Sequence, residues 1–262
     1  MILSDLIHKI EVAAKLSPPL SYDNSGLIVG DPIANISRVL VSLDCSFDVI
    51  EEAASVGAEL IFAHHPPLFW EKAKKITADT PEHGKVFRLI QKRIAVFAAH
   101  SSFDASPLGT NDTLFDIIGL SEKENFICEE EKFFGRIGIL NKETTLAEFA
   151  GCLSEKLDCS VVRYCGNKDT KIKKVALCTG SGAEYEYFIE AKKLGCNVFV
   201  TGDVKYHNAQ YALDLGLSVV DASHYASERI AMSRLIPVLQ KEIPGVEFID
   251  SSTNGQIFNH CQ

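Results

Sequence analysis

Histidine and carboxylate side chains recur in this 262-residue sequence at spacings that metal ligands often have. Two adjacent histidines, His64 and His65, follow the apolar segment AELIFA and precede two prolines. Two later histidines are each followed four residues on by a carboxylate, in the segments HSSFD and HYASE. These features supply the following candidate metal ligands: His64, His65, Asp104, His224 and Glu228, with His100 close to them in the sequence.

The chemical types of these side chains favour borderline divalent metal ions. Imidazole combined with carboxylate, without thiolate, suits Zn, Fe(II), Mn or Co, and the set is too rich in nitrogen for a dedicated Ca or Mg site. The set also has more ligands than one open catalytic metal requires. We therefore predict two divalent metal ions per chain that share a bridging carboxylate.

Each feature taken singly has an ordinary structural alternative. A His-His pair is more often a surface feature or part of a hydrogen-bonded core, and a histidine four residues before a carboxylate arises by chance on many helices. The occurrence of three such features at equivalent strand ends favours metal binding over these alternatives.

The elements that would position these residues come from a repeated pattern. Residues 38–69 and 174–207 each contain a β-branched strand, a turn, a helix, a glycine and a second strand, which is typical of a parallel crossover. Residues 93–104 and 216–228 continue the repeat, because each is an apolar strand that leads to a histidine and then a carboxylate. In open parallel sheets ligands bind beyond the carboxyl ends of the strands, so we expect all the candidate ligands there.

The pattern predicts an α/β protein of two interlocked, internally repeated halves with mostly parallel sheets. The first half, residues 1–128, carries the His-His pair and the first histidine–carboxylate spacing, and the second half, residues 129–262, carries the other. Between the motifs, residues 133–166 are predicted to form a strand, a helix and a strand, with Thr145 and Glu148 as a capping box. No low-complexity linker separates the halves.

Composition and charge restrict the class of protein. The segment MILSDLIHKIEVAAKL has apolar residues at helical spacing and predicts an amphipathic helix with Ser4 as its N-cap, not a targeting signal. No apolar run approaches the ~18 residues of a membrane-spanning helix, and we expect a cytoplasmic protein. The net charge of −9 disfavours nucleic acid and anionic membranes as partners. The eight cysteines form no C-x-x-C pair, which disfavours a thiolate zinc site.

Two polar loops occupy the corresponding strand ends of the second half. CTGSGAEY contains Gly180 and Gly182, which could cradle an anion, but the segment matches neither the dinucleotide nor the phosphate-loop pattern, so a tight turn is favoured. TGDVKYH supplies Asp203, Lys205 and His207, either as ordinary loop polarity or as contacts to metal ligands and substrate.

Motifs along nearly the whole chain resemble those of the Nif-three-like family, whose bacterial members are labelled GTP cyclohydrolase 1 type 2. The segments occur in the family's order: DNSGLIVGD, HHPPLF, AAHSSFDASPLGTND, FGRIG, TGDVKYH and SHYASE. The chain reads SSFD where the family often has TNLD, so the carboxylate is kept and its neighbours differ.

The resemblance implies a pair of metals inside a ring-shaped homohexamer of internally repeated α/β protomers. It implies that His100 lies beside the metals. It also implies that the ligands are His64, His65, Asp104, His224 and Glu228.

These features together predict a dinuclear metal-binding protein that acts as a metal-dependent hydrolase on a nucleotide-like or phosphoester substrate. Opening of the GTP imidazole ring fits this chemistry, because the metals would lower the pKa of a bridging water. His100 or His207 would be the general acid or base, and Lys205 would hold an anionic group. The alternative is a non-catalytic metal-binding hexameric scaffold or interaction protein; an adaptor that binds nucleic acid is disfavoured by the charge.

Overall fold

The computed structural model describes residues 1–68, 75–253 and 255–258. Phe69 of the HHPPLF segment, residues 72–74 of the short basic segment KAKK (72–75) and the histidine His260 lie outside the described residues. The chain forms two compact units. The first unit comprises Met1–Gly109 and Ala231–Gly255, and the second comprises Thr110–Ile230 and Gln256–Gln262.

Helices and strands alternate along most of the described chain. In chain order they are α1 (Leu3–Ala13), β1 (Gly26–Val29), β2 (Arg38–Ser42), α2 (Phe47–Ser55), β3 (Leu60–Ala63), α3 (Pro81–Lys92), β4 (Ala95–Ala98), α4 (Ser101–Asp104), α5 (Thr110–Ile118), β5 (Leu120–Glu129), β6 (Lys132–Thr145), α6 (Leu146–Lys156), β7 (Arg163–Cys165), β8 (Lys171–Leu177), α7 (Tyr185–Lys193), β9 (Val198–Thr201), α8 (Tyr206–Asp214), β10 (Ser218–Asp221), α9 (His224–Glu242) and β11 (Glu247–Asp250).

The first unit is built on a five-stranded sheet in the order β1-β4-β3-β2-β11. The strands β11, β2, β3 and β4 are parallel, and β1 joins β4 in the antiparallel direction. In the register Ser42 lies opposite Ala63, which lies opposite Ala98. The residues that follow β2, β3 and β4 therefore leave the sheet at the same edge.

Apolar side chains from helices and strands form the core of the first unit. Leu40, Ile61 and Val96 of the central strands pack with Ile50 of α2 and Leu89 of α3. Strands that are buried on both faces require such continuous apolar sequences. Burial of each large aliphatic side chain contributes about 1.5–3 kcal/mol, so this core fixes the strands that lead to the candidate ligands.

The second unit is built on a six-stranded sheet in the order β5-β6-β8-β9-β10-β7. Its three strands β8, β9 and β10 are parallel, and the remaining ladders are antiparallel. In the register Leu177 lies opposite Val200, and Thr201 lies opposite Asp221. The loops after β8, β9 and β10 therefore leave this sheet along one edge.

The α/β class is confirmed, and both sheets are mixed rather than mostly parallel. The predicted parallel crossovers are present as β2-α2-β3 and β8-α7-β9. The antiparallel ladders join β1 to β4, β5 to β6, β6 to β8 and β7 to β10, and local sequence pattern does not specify these directions of pairing.

Two local predictions had different outcomes. The capping box is confirmed, because the Thr145 hydroxyl accepts from the Glu148 backbone N–H and the Glu148 carboxylate accepts from the Thr145 N–H. The helix α1 is also confirmed, but the prediction of Ser4 as its N-cap is wrong. The N–H groups of Leu3 and Ser4 donate to the carbonyls of Ala34 and Pro32, so backbone acceptors replace a side-chain cap. Among the described residues, no helix combines the length and the apolarity that crossing a membrane requires.

Candidate metal centre

The first unit brings three histidines together at the edge where β3 and β4 end. His64 and His65 follow β3 directly, and their backbone N–H groups donate to the Leu43 carbonyl at 3.1 and 2.8 Å. The His64 ring centroid lies 4.7 Å from that of His65 and 5.2 Å from that of His100. One ring nitrogen of each lies within 4.8 Å of the others, so these three imidazoles could hold a metal ion.

Backbone and carboxylate oxygens fix the orientation of the two adjacent rings. His64 is fully buried, and its Nδ1 lies 3.0 Å from the Ala99 carbonyl oxygen. His65 Nδ1 lies 2.8 Å from Asp44 Oδ1. A carbonyl oxygen only accepts, so Nδ1 of His64 carries the hydrogen and Nε2 carries the lone pair. This is the tautomer that a metal-binding histidine adopts when an oxygen behind it holds the other nitrogen.

His100 is paired with a buried carboxylate, Asp23, which is not among the candidate ligands. Asp23 Oδ1 lies 2.8 Å from His100 Nδ1, and Asp23 Oδ2 accepts from Ser25 Oγ at 2.6 Å and from Ser101 N at 3.0 Å. Burial opposes ionisation of Asp23, but these hydrogen bonds outweigh it and hold the pKa of the carboxyl below its usual range. Burial likewise opposes protonation of His100, but the Asp23 hydrogen bond and the charges of Asp104 and Asp23 raise the pKa of the imidazole.

The carboxylate of Asp104 lies close to Nε2 of His64. The short helix α4 follows His100, and the Asp104 N–H donates to the His100 carbonyl at 3.1 Å. Asp104 Oδ1 lies 3.5 Å from His64 Nε2. Because Nδ1 of His64 holds the hydrogen, Nε2 and the carboxylate oxygen are both acceptors. Two acceptors at this separation favour a cation near them, either a metal ion or a second proton on the imidazole.

The second unit repeats this arrangement at the start of α9. His224 Nδ1 lies 2.7 Å from Asp203 Oδ2, and His224 Nε2 lies 3.1 Å from Glu228 Oε2. These two residues share one face of α9, because they are one turn apart in this helix. Glu228 is only 4% exposed. Burial of a carboxylate is costly without hydrogen bonds or a cation.

Two glycines allow the chain to approach His224 and Glu228 closely. Gly180 has φ +67°, and a Cβ at this position would overlap Glu228 Oε1 and lie 3.4 Å from His224 Nε2. A Cβ on Gly202 would lie 2.6 Å from the His224 backbone nitrogen. The sequence favoured a tight turn for the segment CTGSGAEY. It did not indicate this close approach, which only glycine permits.

The other predicted residues of the second unit lie on the loop and helix after β9. Asp203 contacts His224 directly and adopts φ +51°, a left-handed conformation that aspartate tolerates better than most residues. Lys205 precedes α8 as its N-cap, and His207 lies in its first turn; both are exposed. Within the described residues His207 belongs to none of the groups that could hold a metal ion.

Two carboxylates behind the histidines, Asp23 and Asp44, were not predicted. Asp44 lies two residues beyond β2, at the edge that β2 shares with β3, so alignment of the strand ends could have indicated it. Asp23 lies 77 residues before His100 in a loop ahead of β1. No local spacing connects Asp23 to the histidine that it holds.

The mixed sheets and the histidine–carboxylate clusters define an α/β protein with residues that could bind metal. The chain belongs to the DUF34/NIF3 (NGG1p interacting factor 3) family, whose model matches residues 1–255.

Relatives confirm this assignment over nearly the full length. The chain is 37% identical over 255 residues to a Clostridium perfringens protein named GTP cyclohydrolase 1 type 2 homolog, with 96% of each chain covered. It is 32% identical to a Campylobacter jejuni protein of the same name, covering 87% of this chain and 88% of the relative. A Staphylococcus aureus crystal structure aligns with a TM-score of 0.88 and 26% identity, covering 100% of this chain and 99% of that chain.

Proposed function

We propose that this protein binds two divalent metal ions and uses them to hydrolyse a nucleotide-like or phosphoester substrate. One observation carries the proposal: in His64, His65, His100 and His224 the Nδ1 atom lies against a carbonyl or carboxylate oxygen, so Nε2 carries the lone pair whenever the ring is neutral. The proposed ligands are His64, His65, Asp104, His224 and Glu228.

We propose that the five candidate ligands together hold the two metal ions. The first unit supplies His64, His65 and Asp104, and the second supplies His224 and Glu228. Neither set alone has enough ligands for two metals, whereas together they match the nitrogen and oxygen donors that Zn, Fe(II), Mn or Co prefer.

The residues around the ligands have separate roles in the proposed reaction. When bound, the metals would polarise the substrate and lower the pKa of a water. His100, held by Asp23, would donate or accept a proton at Nε2 as the general acid or base. His207 is the second candidate for this role, and Lys205 would hold an anionic group of the substrate. Asp44 and Asp203 would keep the rings of His65 and His224 in their orientation.

The name of the curated relatives suggests one substrate to test first. They are called GTP cyclohydrolase 1 type 2 homologs, and hydrolytic opening of the GTP imidazole ring is consistent with a metal-activated water. Hydrolysis of a nucleotide phosphoester uses the same groups. Both reactions belong in one screen.

The activity test compares the metal-reconstituted wild type with two histidine variants. GTP, other nucleotides and simple phosphoesters are incubated with wild type, His65→Ala and His8→Ala, whose side chain is 78% exposed in the native protein. We expect turnover by wild type and His8→Ala, and none by His65→Ala beyond that of the metals in buffer. Wild-type turnover no higher than that of His65→Ala contradicts the hydrolase proposal.

A metal-binding scaffold without catalysis is the second candidate function. The family description names an interacting factor, which favours this alternative, and the family resemblance implies a toroidal homohexamer. Full metal occupancy without turnover of any screened substrate supports the scaffold. Light scattering at micromolar concentration tests the hexamer, and a monomeric mass contradicts it.

We further propose that the two strand–helix–strand crossovers are copies of one repeated unit. The parallel pairs β2-β3 and β8-β9 are each joined by a helix of nine residues, α2 and α7. In each case the next parallel strand leads to a candidate site histidine, His100 after β4 and His224 after β10.

A further inference from the structure

The turn Thr179–Gly180 lies directly against the candidate metal ligand Glu228. Gly180 leaves no room for a Cβ beside the Glu228 carboxylate, and its own φ of +67° is a left-handed conformation. The position of this turn therefore determines how much space the carboxylate has. A small displacement of the turn would move Glu228 or allow it to rotate.

Two buried polar side chains at the start of α5 hold this turn from one side. Asn111 Oδ1 accepts from the Thr179 backbone N–H at 3.0 Å. The Thr179 hydroxyl donates to Thr110 Oγ1 at 2.8 Å. Thr110 and Asn111 are 0% and 1% exposed. Buried polar groups stabilise a fold only when hydrogen-bonded, so these side chains are suited to a fixed positioning role.

The other side of the turn contacts α9, the helix that carries His224 and Glu228. The Gly180 N–H donates to Ser227 Oγ at 3.2 Å, and the Ser227 hydroxyl donates to the His224 carbonyl at 2.9 Å. The Gly180 carbonyl accepts from the Gly202 N–H at 2.8 Å. The turn thus connects α5 with the residues that carry both candidate ligands of the second unit.

A buried ion pair anchors the first turn of α5. Asp112 accepts from Arg136 Nε at 2.7 Å and also pairs with Lys123. Arg136 Nη1 donates to the carbonyls of Phe133 and Gly135 at 2.9 and 2.8 Å. These contacts connect α5 with β5 and β6. They therefore fix the first turn of α5, where Thr110 and Asn111 lie.

We propose that Asn111 and Thr110 are positioning residues that set the metal affinity of Glu228 and His224 through the Thr179–Gly180 turn. The inference rests on the proposed metal-binding function. Residues that orient metal ligands typically change metal affinity ~10–100-fold when they are removed. Asn111 and Thr110 would act through the Thr179–Gly180 turn, in which Gly180 packs against the Glu228 carboxylate.

The test uses Co(II) as the probe and measures its dissociation constant and visible absorption spectrum with full-length protein. Asn111→Leu removes the acceptor of the Thr179 N–H, and Thr179→Val removes the hydroxyl bond to Thr110. Thr179→Ser keeps that bond and serves as the conservative variant. Lys156→Met is the structural control, because Lys156 Nζ donates to the Ile117 and Ile118 carbonyls at the opposite end of α5.

We expect Asn111→Leu and Thr179→Val to weaken Co(II) binding ~10-fold or more and to alter the absorption bands. Thr179→Ser and Lys156→Met should keep the wild-type spectrum and an affinity within a few-fold. Thermal unfolding of each apo variant reports any loss of stability separately. If Asn111→Leu fails to fold, Thr179→Val against Thr179→Ser decides the question.

Three results would overturn the inference. Folded Asn111→Leu and Thr179→Val with wild-type affinity and spectrum would remove the positioning role. Equal weakening by Lys156→Met at matched thermal stability would show that the effect is a general loss of stability. Wild type that binds no Co(II) would reject the proposed metal-binding function, and the inference with it, before any variant is compared.

Discussion

The oxygen partners of the histidines, more than the histidines themselves, distinguish this site from a chance cluster. Asp44, Asp23 and Asp203 each face an Nδ1 atom at 2.7–2.8 Å. A ring held in this way has one tautomer and one orientation, so less ordering is required when a metal binds. The same geometry occurs in both units, although their sequences around the histidines differ.

Gly180 offers the sharpest test at the scale of single residues. In Gly180→Ala the new Cβ would overlap Glu228 Oε1, whereas in Gly195→Ala, at a similar φ of +77°, it would meet nothing within 4 Å. Both substitutions should cost about 1 kcal/mol for alanine in a left-handed conformation. Only Gly180→Ala should lose metal, because its methyl group displaces the carboxylate.

Metal content and denaturant unfolding of the two glycine variants check this prediction. Equal metal content in Gly180→Ala and Gly195→Ala, at comparable stability, would show that Glu228 does not need its observed position. The comparison is direct because the backbone strain is common to both variants.

The positions of the candidate ligands at strand ends could be predicted, because the local pattern places them soon after buried strands. His64 and His65 do follow β3, and His224 does begin α9. The carboxylates behind them could not be predicted in the same way. Asp23 reaches His100 from a loop 77 residues away, and such a contact depends on tertiary packing, not on local spacing.

At the scale of elements, the strand β11 shows that local sequence pattern does not identify the pairing partner of a short strand. Its four residues pair in parallel with β2, about two hundred positions earlier in the chain, and were not predicted. A run of four residues with alternating burial indicates a strand but not its partner. The central strands were predicted because long apolar runs specify burial on both faces.

The end of β11 is fastened to α2 through a carboxylate, and this contact gives a pH-dependent prediction. Glu52 accepts from Ser251 Oγ at 2.5 Å, from Ser252 N at 2.7 Å and from Thr253 Oγ1 at 2.8 Å. Burial opposes ionisation, but these bonds lower the pKa of Glu52 from 4.5 to about 2. A carboxyl whose pKa is depressed by folding stabilises the protein above its unfolded pKa.

The contribution of Glu52 is therefore complete above pH 4.5 and lost as the pH falls towards about 2. After allowance for partial exposure, Glu52→Gln should lower the free energy of unfolding at pH 7 by about 1–2 kcal/mol. Its stability should also fall less steeply between these two pH values. Glu155→Gln, at an exposed position on α6, is the control and should change stability by less than about 0.5 kcal/mol. Identical urea midpoints for Glu52→Gln and wild type at pH 7 would refute this prediction.

At the scale of the whole molecule, the proposed function joins residues that are far apart in the chain. The candidate ligands of the first unit lie just after β3 and in α4, which follows β4, and those of the second unit lie in the first two turns of α9. The net charge of −9 is compatible with a site that concentrates carboxylates around cations.

The most direct measurement is the metal content of protein purified without a histidine tag. Wild type is compared with His65→Ala in the first unit, Glu228→Ala in the second, and the exposed control His8→Ala. We predict about two divalent ions per chain in wild type and His8→Ala, and loss of metal in both site variants. Substoichiometric metal that neither His65→Ala nor Glu228→Ala changes would contradict the dinuclear centre and leave the histidine clusters as structural features.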